Sequence, residues 1–306
     1  MRNTHQIWNS LLLFLTALIW GTAFVAQSVG MEYVGPLTYT CVRSVIAGIM
    51  LIPCIAFLNK VNPNEREKEI CRDEKRRKDY QKTLLAGGIC CGLALGAASS
   101  LQQIGIQYTT VGKAGFITTF YIILVPIIGL FFKKRCGINV WIGVFFALAG
   151  LYFLCITEGF SIGYGDAMVF FCALAFSVHI LVIDHFTQLV DGVKMSCIQF
   201  FVAAIVSGIG MLILEHPDLH SILAAWIPIL YAGALSSGVG YTLQIIGQKG
   251  MNPTVASLIL SLESVISVLA GMIILHENLT SREVLGCILM FIAIILAQLP
   301  EKKTAS

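Results

Sequence analysis

Charge is the scarcest property of this 306-residue chain: Asp, Glu, Lys and Arg together supply 12% of it, against 57% apolar residues, and the mean hydropathy is +0.83. A soluble globular domain carries about 25% charge, so the shortage excludes an ordinary water-facing surface. Several chemical signatures are also missing. No C-x-x-C pair occurs among the ten cysteines, and most of them fall in apolar stretches. They read as small hydrophobes, with no support for a metal site or a disulfide framework. Neither a G-x-S-x-G elbow nor a G-x-x-x-x-G-K-[ST] phosphate loop is present, which argues against a serine hydrolase and against ATP-driven transport. No cofactor is implied. A nucleic-acid partner is a poor reading too: the one dense charge run, NKVNPNEREKEICRDEKRRKDYQK from residue 59 to 82, mixes both signs.

What the chain has is long apolar windows. A helix crossing the hydrocarbon needs about 20 mostly apolar residues, and ten such windows can be placed, at roughly 8–29, 35–58, 83–107, 112–132, 137–157, 166–187, 194–214, 223–247, 253–275 and 283–299. The first is long, lacks a small-residue cleavage pattern and precedes nine more, so it reads as a retained helix rather than a signal peptide. If the N-terminus is cytoplasmic, nearly all of the 20 Lys and Arg fall in inside segments; Lys113 and Arg282 alone lie outside, with Arg43 inside a window. The positive-inside rule then puts both termini in the cytoplasm. The expected setting is a multi-pass protein of the cytoplasmic membrane, with residues 59–82 a solvated connector.

An internal repeat divides the windows evenly. Sliding the chain by 142 residues without a gap pairs LQQIGIQYTTVGKAGFITTFYIILVPIIGLFF, from Leu101, with LQIIGQKGMNPTVASLILSLESVISVLAGMII, from Leu243. Leu101/Leu243, Gln102/Gln244, Ile104/Ile246, Gly105/Gly247, Ala114/Ala256, Ile117/Ile259 and Gly129/Gly271 coincide. Five windows per half is an odd number, so the second half enters the membrane from the opposite side. The expected fold class is an all-α polytopic membrane protein: ten transmembrane helices as two inverted five-helix repeats, residues 8–157 and 166–299. Such pairs are a common carrier design, opening a midplane site to either side in turn.

The ionisable groups inside windows are the first site candidates. Glu263 lies ten residues past Pro253, about 15 Å into a core ~30 Å thick. A charged residue there costs roughly 2.5–3.5 kcal/mol on insertion scales and commonly faces a bundle interior or watery cavity. Its functional reading is a proton-coupling or substrate-ammonium site; its bland reading is a neutral Glu that ties helices together. Arg43, roughly 10 Å past Pro36, either approaches Glu263 across a cavity, directly or through a substrate bearing both charges, or bonds backbone carbonyls. His179 is a proton relay or a satisfied packing residue. Neutral groups extend the list: Trp20, Gln102, Gln103, Thr118, Thr119, Tyr121, Tyr241 and Gln244 suit a small organic solute or simply hydrogen-bond between helices. The repeat sets Tyr121 in register with Glu263. Gly88, Gly92 and Gly96 bare one face of the third helix for close packing, and Pro126 is expected to hinge the fourth, a hinge the second half lacks.

These residues also carry a resemblance. ALIWGTAFVAQSVGMEYVGPLTYTCVRSVIAGIML, KAGFITTFYIILVPIIGLFF, GDAMVFFCALAFSVHILVID and YTLQIIGQKGMNPTVASLILSLESVISVLAGMIILHENLTSREVLGCILM are similar to the helices of EamA-type members of the drug/metabolite transporter superfamily, over nearly the whole chain. The resemblance implies two EamA repeats, a central cavity lined by helices 1–4 and 6–9, peripheral fifth and tenth helices, and export or exchange of small metabolites. One departure stands out: the family's usual Glu-Pro in the ninth helix reads Glu263-Ser264 here, which removes an expected kink beside the carboxylate.

Enzyme readings fare worse. GYGD, residues 163–166, matches a string of intramembrane aspartyl proteases, but Asp184 lies eighteen residues on along the same helix, about 27 Å away. HENLT lacks the second His of a zinc-protease helix. The leading expectation is a secondary carrier for amino acids or similar small metabolites, working outward by alternating access, with proton coupling left open. The alternatives are a drug- or nucleotide-type carrier, an intramembrane enzyme acting on peptide or lipid, and a passive channel. Expected partners are a small-molecule substrate and the bilayer; a homodimer stays open.

Overall fold

The computed structural model describes residues 2–61, 65–70, 72–109, 111–132, 137–155, 163–274 and 280–298, and every regular element among them is a helix. The first half runs α1 (Arg2–Gly30), α2 (Pro36–Val61), a short α3 (Glu65–Ile70), a long α4 (Glu74–Ile106), α5 (Val111–Thr118), α6 (Tyr121–Phe131) and α7 (Ile138–Cys155). The second half runs α8 (Tyr164–Phe186), α9 (Gly192–Leu214), the short α10 (Leu219–Ala224) and α11 (Trp226–Leu230), and a π-helix (Tyr231–Tyr241) that continues as α12 (Thr242–Gln248). It ends with α13 (Pro253–Leu260), α14 (Leu262–Ile274) and α15 (Ser281–Gln298).

Among the described residues seven helical stretches are long and apolar enough to cross a bilayer, and Tyr121–Phe131, Ile138–Phe153 and Val284–Leu296 are shorter apolar helices. The chain is an all-helical polytopic membrane protein. Its burial pattern is that of a protein solvated by lipid: Phe131 and Phe145 are 84% and 68% exposed while Arg43, Gln102, Gln244 and Glu263 are buried. Hydrocarbon gains nothing from polar contact, so polar side chains turn inward.

Local chemistry starts the helices where it should. The Asp73 carboxylate accepts from the Lys75 and Arg76 amides at 2.8 and 3.2 Å ahead of α4. Asp191 does the same for Val193 and Lys194 ahead of α9, at 3.0 Å each. Asn252 accepts from Thr254 N–H at 2.9 Å, with Pro253 in the first turn of α13. These caps satisfy amides that have no partner in the first turn.

Packing pairs the halves. α4 lies on α8 and α9; α1 lies on the π-helix, α12 and α14; α2 pairs with α9 and α7 with α15. α5 touches α14 while α6 touches α13, so the two broken helices cross antiparallel, breaks near the crossing. Glycine permits the close approaches. A Cβ on Gly92 would lie 2.5 Å from Val202 Cβ and 2.7 Å from the Gln199 carbonyl, and one on Gly88 2.5 Å from Ile198 Cγ2. The bared face expected of Gly88, Gly92 and Gly96 is the seat of α9.

Both ends of the bundle are tied by polar contacts. At one end Lys194 Nζ meets the Glu67 carboxylate at 2.6 Å, and the Asp191 amide donates to Tyr80 Oη at 3.0 Å. At the other, Glu215 accepts from the Leu37 and Thr38 amides at 2.8 Å and from Thr38 Oγ1 at 2.6 Å, capping α2 from the end of α9.

Several expectations need correcting. The 59–82 connector is not simply solvated: it holds α3 and the start of α4, and Glu67 docks on α9. The absence of proline at 264 does not leave the ninth window straight. It breaks at Ser261, whose hydroxyl bonds the Leu258 carbonyl at 2.7 Å, while Ser257 bonds Thr254 O at 2.9 Å. Serine hydroxyls compete with the backbone ladder and bend helices without a proline. So the second half has its own break, and the first half is interrupted at Thr119–Phe120, just ahead of Pro126, which lies within α6. Proline has no N–H to offer the carbonyl four residues back, and that residue, Ile122, is the second of α6.

The glycine seat yields a graded prediction. Gly92→Ala meets a carbonyl and a β-branched carbon, whereas Gly96→Ala meets Ala203 Cα and Val206 at 3.1–3.3 Å. Thermal or SDS unfolding of the purified protein should show Gly92→Ala destabilised by about 1–3 kcal/mol and Gly96→Ala by clearly less. Equal losses would contradict this account of the α4–α9 contact.

Candidate functional site

The crossing of the broken helices forms the floor of a central cavity. At that crossing Tyr121 Oη donates to Glu263 Oε1 at 3.1 Å; both residues are buried. Being 142 residues apart, they occupy equivalent places in the repeat, and equivalent residues meet one another only close to the axis that relates the halves.

The walls come from both halves. α1 supplies Trp20, Phe24 and Gln27, and α2 supplies Arg43; α4 supplies Gln102, whose Nε2 donates to Thr118 Oγ1 at 3.2 Å. From the second half come Phe176 and Ile180 of α8, Ser236 and Tyr241 of the π-helix, Gln244 of α12 and Leu260 of α13. Trp20 stacks at 51° on Tyr241 with ring centroids 4.5 Å apart, and its indole N–H donates to the Ser236 carbonyl at 3.1 Å. The π-helix is built from small residues, three of them glycine. A Cβ on Gly240 would fall 2.7 Å from Trp20 Nε1, and one on Gly233 3.0 Å from the Arg43 carbonyl. Local π geometry often marks functional sites, and here it brings the backbone onto the walls.

Arg43 and Glu263 face this space without pairing. Arg43 Nη1 donates to Gln27 Oε1 at 3.4 Å and its guanidinium lies 5.8 Å from the Tyr39 ring centroid. No ion pair joins the two among the described residues. Each charge-bearing group is held by a neutral neighbour, so a solute with both charges has a partner at either end.

The space accessible to a water-sized sphere is only about 30 Å³. Since one water needs roughly 10–15 Å³ by that measure, the cavity is constricted and has to widen before an organic solute fits.

Of the residues singled out in the sequence, Trp20, Arg43, Gln102, Thr118, Tyr121, Tyr241, Gln244 and Glu263 come together here. Three do not. His179 sits behind Tyr241, ring centroids 5.9 Å apart, with Nε2 3.0 Å from Gln199 Oε1. Gln103 donates to the Gln27 carbonyl at 3.3 Å, and Pro126 is buried in α6 away from the lining. Sequence reasoning passed over Gln27 and Ser236. The first was detectable as an amide in an apolar helix; the second contributes a carbonyl, which no side-chain pattern announces.

Fold and site thus define a polytopic membrane protein with a small, constricted chamber of aromatic, aliphatic and polar side chains inside its helix bundle. The comparisons agree: residues 7–156 and 163–299 each match the EamA-like transporter family, and the chain belongs to that family. It is a membrane transporter and not an enzyme. It is 28% identical over 295 residues to a protein of Archaeoglobus fulgidus described as an uncharacterized transporter, covering 96% of this chain and 87% of the relative. It is 23% identical over 280 residues to the uncharacterized transporter YoaV of Bacillus subtilis, covering 89% and 90%. A solved crystal structure superposes with a TM-score of 0.75 at 17% identity over 95% of this chain and 96% of that one, which supports the fold.

The Tyr121–Glu263 contact is open to a cycle. Tyr121→Phe leaves a buried carboxyl without its donor and should destabilise by about 1–3 kcal/mol, while replacing both partners with apolar groups is close to neutral. The Tyr121→Phe/Glu263→Met double variant should therefore unfold nearer the parent than Tyr121→Phe alone. A double variant as unstable as the two losses added would show that the bond carries no coupling.

Proposed function

We propose that the protein is a secondary carrier in which ten spans, five per EamA repeat and inserted in opposite senses, enclose the central cavity, with both termini in the cytoplasm. It moves amino acids or similar small metabolites outward by alternating access, and Glu263 couples that movement to protons. The observation that carries the reading is the placement of Arg43 and Glu263 on one cavity, each on a neutral partner, with Trp20 and Tyr241 also in its lining. A carboxylate end lies by the guanidinium, an ammonium end by Glu263 and an apolar side chain on the rings. The antiparallel crossing of α5–α6 with α13–α14 supports opposite insertion of the halves, and the bias of Lys and Arg supports the orientation.

The test is counterflow in proteoliposomes containing only this protein, with a panel of amino acids and related solutes and with or without an imposed pH step. Saturable counterflow of at least one zwitterion is expected; flux without saturation or counterflow would mean a channel. Glu263→Gln should abolish stimulation by the pH step, and an unchanged pH response would remove Glu263 from the coupling role. A charge-swapped Arg43→Glu/Glu263→Arg protein should recover part of the flux that each single change loses. Recovery no better than either single variant would count against a substrate bridging the two positions.

A further inference from the structure

Polar groups extend from the cavity lining in two seams, one toward each end of the bundle. Toward the end that carries Lys194 and Lys249, His179 Nε2 meets Gln199 Oε1 at 3.0 Å and Gln199 Nε2 donates to Ser196 Oγ at 3.3 Å. Ser196 Oγ in turn lies 3.3 Å from Thr242 Oγ1. Gln248, one turn of ~6 Å beyond cavity-lining Gln244, donates to the Ile180 carbonyl at 2.6 Å. Gln248 Oε1, Gln244 Oε1 and His179 Nδ1 have no partner among the described residues. Toward the opposite end Gln27 takes Arg43 Nη1 on its side-chain amide oxygen and Gln103 Nε2 on its backbone carbonyl, and Gln103 Oε1 has no partner among the described residues. Gln27, Gln103, Ser196, Gln199 and Gln248 are all at most 4% exposed.

The two seams are related by the repeat. Arg43 and Gln199 each lie seven residues past the first residue of the paired helices α2 and α9, and Gln102 and Gln244, 142 residues apart, both line the cavity from which the seams diverge. Orphaned acceptors are costly inside a membrane protein, where lipid offers no donor. If packing were the only role, apolar side chains of the same volume would serve better. Groups of this kind are satisfied when water reaches them.

We infer that the two seams are the access routes to the central cavity in their closed form, each binding a file of water when its end of the bundle opens. α8, α9 and α12 line the route to the face bearing Lys194, and α1, α2 and α4 line the route to the other. The inference rests on the carrier reading above for its two alternating openings, but it concerns which helices part and which side chains become wet.

The test is thiol accessibility. In a background with the ten native cysteines replaced, Ser196→Cys and Gln248→Cys should react with a membrane-impermeant thiol reagent only from the face bearing Lys194. Gln103→Cys should react only from the opposite face, and Gln244→Cys from both. Seam positions inert from both faces, or both seams labelled from one face, would overturn the inference. Variants are to be compared with the same thiols after denaturation, so that misfolding is separated from inaccessibility. As a second measurement, Gln103→Leu and Gln248→Leu should keep or raise the thermal midpoint while slowing counterflow at least tenfold; unchanged flux would also overturn it. Side-specific labelling with no counterflow of any solute would leave the seams standing and remove the carrier reading, whereas counterflow with inert seams would do the reverse.

Discussion

Hydrocarbon supplies neither donors nor acceptors, and nearly every feature of this bundle answers that constraint. The Tyr121–Glu263 hydrogen bond shows it most directly: a carboxyl placed in the middle of an apolar run finds its partner on the equivalent residue of the other repeat. The same pressure sends the Trp20 indole to a backbone carbonyl, Gln102 to Thr118 and His179 to Gln199. Each bond joins two helices, so the polar groups that are hardest to accommodate in a membrane are also those that set how its helices stand against one another.

The halves are related without being copies. Equivalent helices pair across the bundle, α2 with α9 and α7 with α15, yet one crossing helix breaks ahead of a proline and the other at a run of serines. The break residues Thr119 and Ser261 are 142 residues apart, and each bonds a preceding backbone carbonyl through its hydroxyl. With the cavity reduced to about 30 Å³ and both ends tied, by Glu67–Lys194 at one and by Glu215 at the start of α2 at the other, the conformation described is narrow at its centre and clasped at both ends. The clasps are few polar contacts near the bundle ends, while the glycine-seated α4–α9 packing is extensive and apolar.

Much of the fold was legible because periodicity was not needed to read it. Windows of apolar residues marked the helices within a few residues, and α4 departs furthest, starting at Glu74 because its capped, charged first turns project beyond the lipid-facing part. The glycine face of α4 was equally plain, since a bare stripe in a lipid-exposed helix has no other use. The ninth window was misjudged because a rule tied to proline overlooked serine. Gln27 and Gln103 show the limit for the site: both are amides in apolar helices, but one lines the cavity and the other supports its neighbour from behind, a difference of helix rotation that composition does not record.

The sequence by itself determined that the chain spans a membrane many times, that it is built from two related halves, and which few polar residues lie inside, because each of these follows from hydropathy and from residue identity at a 142-residue spacing. Only the tertiary structure decided which of those residues share a cavity, that Arg43 and Glu263 face it unpaired, and that a serine break and a π-helix shape its walls. Those outcomes depend on helix rotation, on close approach at glycine and on where a backbone carbonyl is left free, and such quantities emerge only when the packed helices settle against one another.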